Sequence, residues 1–471
     1  MRIGITAIGS FVIAFAMAGC GGGTASTTKP AVHDAWTWIG GANTPDQKGI
    51  YGTVGVTDPV VVPGARAFAA HWIDADGNLW LFGGIGFDST GNMDWLNDMW
   101  KYSNGKWAWM GGSNLIRQAG IYGTKGTPTS TNFPGARLYA VSWTDPSGNF
   151  WLFGGNGIDS AGNAGQLNDL WEYTNNQWTW VSGSNVCSQF GVAGAWQGAG
   201  IYGTKGVADP TNVPGARFAA SGWSDSSGNL WLFGGEGSDS RGYLGPLNDL
   251  WRFSKGMWTW MAGSNLDNQF GTYGTQGTGA PGNTPGARTG ASPWTDAEGN
   301  LWLFGGLGND KDGVRCEQTL VCQLSDLWRF SNGQWTWIGG PNQVNEPGTY
   351  GTQGVPSTSS WPGPRNNAVS WTDSAGNLWL LGGNWANDYN DLWRYSGGEW
   401  TWMSGSNQPC QAGVYGTQGI ASSSNTPGAR DGSASWTDKS GNLWLFGAEP
   451  FCSGSGFGSA LKYNDLWEYQ P

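Results

Sequence analysis

Apolar residues in this chain gather in runs of about four, too short for helices, and the runs recur in a fixed order. One copy, residues 142–180, reads SWTDPSGNFWLFGG, then a polar insert, then LNDLWEYTNNQWTW. Ser142-Trp143-Thr144 predicts a strand. Asp145, followed by Gly148-Asn149, predicts a tight turn, because the Asp side chain bonds nearby backbone and Gly accepts positive φ. The Phe-Trp-Leu-Phe run that follows is apolar on both of its faces, so its strand belongs in a sheet covered on both sides. A Gly-Gly pair is expected to end it. Asp-Leu-Trp with an aromatic two places on predicts a third strand, and Trp-x-Trp a fourth. Between these two, Asn104-Gly105 in the first copy predicts a type I′ hairpin. Each copy therefore predicts one four-stranded antiparallel sheet.

The chain spells this unit six times. Pro-Gly-x-Arg opens each copy, with its arginine at Arg66, Arg137, Arg217, Arg288, Arg365 and Arg430, and a first-strand Trp follows at 72, 143, 223, 294, 371 and 436. Trp36-Thr37-Trp38 is a fourth strand with no unit before it, and the sixth copy runs to Pro471 without one. Pairing the two incomplete ends would close a ring and remove open sheet edges. The Gly-Gly pair, the third-strand aromatic and the fourth-strand Trp, repeated every 65 to 80 residues, resemble kelch repeats. That resemblance covers residues 35–471 and implies an all-β, six-bladed kelch-type β-propeller, four antiparallel strands per blade, closed by the N-terminal strand. The repeat exceeds the roughly 50 residues usual for kelch. The excess falls between strands two and three and between units, and alternation puts both sets of long loops on one face. That face is the expected functional surface. Each interunit insert carries Tyr-Gly-Thr, at Tyr51, Tyr122, Tyr202, Tyr273, Tyr350 and Tyr415, read as an ordered capping layer.

Residues 1–20 change the picture of where the protein works. Arg2, an apolar run and Met17-Ala18-Gly19-Cys20 read as an export signal too short to span a membrane. The segment resembles the lipobox of bacterial lipoproteins, which implies cleavage before Cys20 and lipid on its sulfur and new amino end. Residues 21–34, opening GGGTASTTKP, then form a flexible tether. With no Asp after Cys20, the resemblance implies the outer membrane, and the lipid is the expected membrane contact. A net charge of -11 with no basic run argues against nucleic acid as a partner.

Tryptophan, at 34 residues, suggests sugar stacking, but five per unit occupy strand positions and account for thirty. Trp95, Trp196, Trp361 and Trp385 break the repeat and fall in the long-loop set, so they are ligand-binding candidates. The six arginines could ring the channel and hold a carboxylate, or pair with the six third-strand aspartates, Asp98, Asp169, Asp249, Asp326, Asp391 and Asp465. Export permits disulfides, with Cys316–Cys322 and Cys410–Cys452 as plausible pairs and Cys187 left over. Acidic loops at Asp88, Asp159, Asp239 and Asp310 offer oxygens suited to calcium or to turn stabilisation; no metal or cofactor is expected.

A propeller of this size invites comparison with galactose oxidase, a family whose copper needs two His and two Tyr. Only His33 and His71 are present, neither among the long loops, and zinc or Ser-His-Asp chemistry lacks its His as well. The turn Trp-Thr-Asp-x-x-Gly-Asn resembles the sialidase Asp-box with one extra residue, and no activity is carried over from it. The leading expectation is a non-catalytic envelope protein that recognises a glycan or protein through the long-loop face. The alternative is a carbohydrate-active enzyme such as a metal-free sugar mutarotase, which needs only convergent carboxylates and Arg; a purely architectural component is a third. A funnel with paired carboxylates would favour the enzyme, and a broad aromatic face the binder.

Overall fold

The computed structural model describes residues 33–188, 198–313, 322–452 and 461–471. The predicted leader, Cys20 and nearly all of the tether lie outside them. Every regular element among the described residues is a β-strand, and none is a helix that could cross a membrane. The architecture is an array of antiparallel sheets, consistent with a β-propeller.

In the second unit the strands are Val141–Thr144, Phe150–Ile158, Ala164–Thr174 and Gln177–Ser182, each paired antiparallel with the one before it. The sixth unit supplies Ala434–Thr437, Leu443–Ala448 and Tyr463–Gln470, and Ala35–Gly40 adds the fourth strand of that sheet, with Trp36 opposite Tyr469 and Trp38 opposite Trp467. The first strands of the six units pack against one another in succession, and Ala434–Thr437 touches Ala70–Ile73. The twelve largest fully buried side chains are all Trp at strand positions. Removing about 150–250 Å² per ring from water stabilises the fold by at most about 4–6 kcal/mol each, which is why stacked sheets use them.

The Gly-Gly pair does not end the second strand in every unit. In units one, two and four the strand runs through it, as Leu79–Phe87, Phe150–Ile158 and Leu301–Gly308, with a register shift at the glycines. Gly83 and Gly84 have φ of 65° and 91°, and a Cβ on Gly83 would lie 2.8 Å from the carbonyl oxygen of Arg137 in the next unit. The pair is a bulge where the neighbouring backbone comes too close for any side chain. One consequence corrects the loop map: strands two and three continue as a hairpin, so Trp95 lies on the strand Met93–Ser103 opposite Ile85, and Trp385 on the short strand Asn384–Trp385. The Asn104-Gly105 hairpin has both central φ positive, as type I′ requires.

Each insert lies along the outer edge of the sheet it leads into. Gly55 N–H donates to Trp109 O and Gly126 N–H to Trp180 O, and Thr129 bridges Trp178. The N-terminal strand receives the same cover from the sixth insert, through Gly419 N–H to Trp38 O at 2.8 Å and the Trp36–Ser422 bridge. Outer edges that would otherwise offer free N–H and C=O groups are thereby occupied.

Candidate functional site: where the repeat breaks

The six arginines are structural. Arg137 meets Asp169 through two bonds of 2.8 and 2.7 Å, donates from Nε to Gly135 O, and from Nη1 to Gly154 O in the Gly-Gly bulge. The same carboxylate accepts the Tyr122 hydroxyl and Trp171 Nε1, both at 2.6 Å. Four motifs scattered along the sequence thus converge on one buried ion pair, and all six units repeat it. As ligand-binding groups, Arg66, Arg137, Arg217, Arg288, Arg365 and Arg430 are corrected: their side chains are at most 1% exposed and each is spent on its aspartate. Burial, reinforced by Asp169, raises the Tyr122 hydroxyl far above its usual range, so it remains a donor.

Of the repeat-breaking tryptophans, Trp361 and Trp95 are each held by local contacts. Trp361 donates from Nε1 to Ser325 O at 2.6 Å and packs on Trp400, so loop packing explains it. Trp95 is half-buried under the guanidinium of Arg117, 5.8 Å from its ring centre. Trp196 lies outside the described residues. Cys410 and Cys452 are joined, with Cα atoms 5.6 Å apart; Cys322 is also disulfide-bonded, and Cys316 lies outside the described residues. Cys187 is a free, buried thiol. The acidic loops are turn caps: Asp88 Oδ1 accepts the N–H groups of Thr90 and Asn92, and Asp159 repeats the arrangement. Among the described residues no His, Cys, Asp or Glu group is placed to hold a metal ion.

Two residues beyond each arginine, six residues circle the axis: Phe68, Tyr139, Ala219, Gly290, Asn367 and Gly432. All have φ between 51° and 64°. Each N–H donates to the carbonyl of the preceding member, from Tyr139 to Phe68 round to Phe68 donating to Gly432, at 2.7–3.4 Å. With the small residue that follows each, Ala in five units and Ser433 in the sixth, they line a cavity of about 160 Å³ at the end of the axis where the inserts arrive. A second cavity of about 340 Å³ runs along the first strands toward the other end. His71 lines that one, its ring 5.6 Å from Trp436 and its pKa pushed down to about 4 by burial; His33 instead bonds Pro471 O.

Around the first cavity units five and six depart from the others. The residue after the arginine is Ala67, Leu138, Phe218 and Thr289 in units one to four, but Asn366 and Asp431 in the last two. Asp431 exchanges both backbone bonds with Glu449, whose carboxylate pairs with Lys462 at 2.9 Å. Asn367 lies near enough to both the Tyr139 hydroxyl and Asp431 to lower the pKa of each. Asp388, fully buried, accepts from Asn384 Nδ2 at 2.7 Å and Phe451 N–H at 2.6 Å. Gln323 donates to Asn366 Oδ1 at 2.6 Å, and its own buried Oε1 has no partner among the described residues. Burial raises Asp431 well above the carboxylate range, with Asp388 and Glu449 adding to it, and burial lifts Asp388 to about 7. Two buried carboxyls with raised pKa, an amide, a phenol and a lysine are thus neighbours, and of these Asn367 and Tyr139 line the cavity. The sequence motifs missed this set because its members sit at repeat positions that the copies fill differently; the signal lay in comparing the six copies position by position.

No family model and no curated protein matches the chain. Among solved structures, that of YjhT aligns at 14% identity over 86% of this chain and 95% of its own, with a TM-score of 0.49. A fungal alcohol oxidase of the AA5 family in complex with copper aligns at 14% over 89% of this chain and 77% of its own, with a TM-score of 0.45. No residue role is carried over from either.

Proposed function

We propose that this chain is a six-bladed kelch-type propeller closed by its N-terminal strand, anchored to the bacterial outer membrane by lipid on Cys20, that binds a glycan at the insert-side end of its axis. The observation that carries the reading is the cluster of polar residues particular to units five and six, Asn366, Asp388, Asp431 and Lys462, around Asn367, which itself lines the axial cavity. A sixfold feature serves the scaffold; a feature present once serves something else. Donors and acceptors placed in a small concavity suit a polyhydroxylated ligand better than the flat surface of a protein partner. Glycan-array screening of the full-length protein in mild detergent tests this, with Asn367→Ala as the control. Selective binding that is lost in N367A supports the proposal; no binding, or binding indifferent to N367A, overturns it. Labelling with a radioactive fatty acid tests the anchor.

The second reading, a metal-free mutarotase, is favoured by one specific observation. Burial lifts Asp388 to about 7, near the pH at which a general acid works best, and Glu449 exchanges backbone bonds with Asp431 in the same cluster. Anomer exchange measured by NMR saturation transfer, present in wild type and lost in Glu449→Gln, would establish it over simple binding.

A further inference from the structure

Four of the six axial residues hold a left-handed backbone without being glycine: Phe68, Tyr139, Ala219 and Asn367. Units four and six place Gly290 and Gly432 at the same position and make the same ring of backbone bonds, so the scaffold needs no side chain there. A bulky residue at positive φ is an outlier for an L-amino acid, and such strain collects at ligand sites. The aromatic pair in units one and two therefore needs a reason beyond the fold.

Its geometry supplies one. The Phe68 ring lies over Gly432 and fills the place a Cβ would take there. Tyr139 stacks on Phe68, with centroids 4.0 Å apart and planes 24° apart, while Phe218 stands 5.9 Å away at a tilt of 48°. Next along the ring come Ala219 and Gly290, whose small size leaves the cavity open beside the tyrosine. Asn367 and Ser433 make the cavity's polar edge. A void of about 150 Å³ admits one benzene ring, so this cavity of about 160 Å³ has room to seat one six-membered ring.

We propose that Tyr139, braced from behind by Phe68, is the stacking platform for a single pyranose ring in the axial cavity. The apolar C–H face of the sugar lies on the phenol ring, and its hydroxyls meet Asn367 and Ser433. This rests on the glycan reading above and adds to it the size of the ligand, one terminal or free sugar, and the residue that selects its ring face.

The test uses full-length protein in mild detergent, with D-glucose, D-galactose and N-acetyl-D-glucosamine as free probes and the same sugars as chain ends on an array. Saturation-difference NMR reads which sugar protons touch the protein. Tyr139→Gly is the informative variant, because glycine already occupies the equivalent position in two units and relieves the left-handed strain. The expected result is binding weakened by about tenfold in Y139G, loss of saturation on the protons of one ring face, and near-wild-type affinity in Tyr139→Phe. Unchanged binding and saturation in Y139G, with binding lost in N367A, would overturn the platform and leave the glycan site standing. Absence of binding by every probe in the wild type would overturn both.

Discussion

Replacing Arg217 by Leu tests the ion pair on which each sheet is assembled. Asp249 accepts Arg217 Nη1 and Nη2 at 2.7 and 2.8 Å, Tyr202 at 2.6 Å and Trp251 Nε1 at 2.7 Å, and neither charged side chain is exposed. In R217L the carboxylate stays buried with two neutral donors, and the carbonyls of Gly215 and Gly234 lose the donors they have now. Stranding one buried charge costs about 3–5 kcal/mol. Tyr202→Phe removes a single hydrogen bond to a charged group and costs about 1.5–3 kcal/mol. The double variant R217L/D249L removes both charges and leaves only the Tyr202 and Trp251 donors and the two carbonyls wanting partners. It is therefore expected to cost less than the two single replacements added together, by at least about 1 kcal/mol, the coupling typical of contacting residues. Urea unfolding of the full chain, followed by Trp fluorescence, measures all four. An R217L within about 1 kcal/mol of wild type would refute the reasoning, since a loss that small lies below the cost of a stranded buried charge. Strict additivity of the singles in the double would refute it too. The equivalent Arg137→Leu should behave alike, because its surroundings are the same.

Trp36→Ala tests closure of the sixth sheet: Trp36 is 1% exposed and packs on Trp371, Trp467 and Tyr469, so the loss is about 3–5 kcal/mol, and a shift in urea midpoint no larger than that of an exposed site would contradict the pairing. Asp388→Asn tests the buried acid. Its pKa rises from 3.8 unfolded to about 7 folded, so between those values unfolding releases a proton and the stability it allows falls as pH rises from about 4 to about 7, then levels. Wild type should therefore lose more stability than D388N between pH 5 and pH 8, and parallel pH profiles would count against it. The Cys410–Cys452 bridge closes a segment with a sequence separation of 42. Replacing both by Ser should cost about 4 kcal/mol by chain entropy, read as a lower thermal midpoint under non-reducing conditions.

The strands, their order within each sheet and the pairing of Trp36 with the last strand were legible because each rests on a local rule applied six times. Apolar runs of period two, turn residues at fixed offsets and a fourth-strand Trp all agree within every copy, and agreement across levels makes a repeat readable. The Gly-Gly pair was misread for a physical reason. Its role depends on the carbonyl of Arg137 or its equivalent in the next sheet, and nothing within one unit reveals that approach. Tyr122 reads in sequence as part of a capping layer, whereas the structure buries it in the core, and its partner Asp169 lies 47 residues away and is shared with an arginine from a different motif. A pairing of three distant motifs through one carboxylate has no signature in spacing.

The site was hidden by the same repetition that exposed the fold. Attention went to residues that recur, the arginines, and to aromatics outside the repeat, Trp95 and Trp361, and the fold spends the arginines and Trp361 on packing and half-buries Trp95 under Arg117. The informative positions are those the repeat contains but fills differently. After the arginine the chain tolerates Ala, Leu, Phe and Thr, so a carboxylate at Asp431 is not required by the sheet; in the ring it accepts glycine, so an aromatic at Tyr139 is not required either. Both substitutions work against stability, one by burying a carboxyl, which raises its pKa, and the other by holding a bulky residue left-handed. That both lie close to Asn367, with Tyr139 and Asn367 lining one cavity, is the physical ground for treating this end of the axis, and not the arginine ring, as the place where the protein meets its ligand.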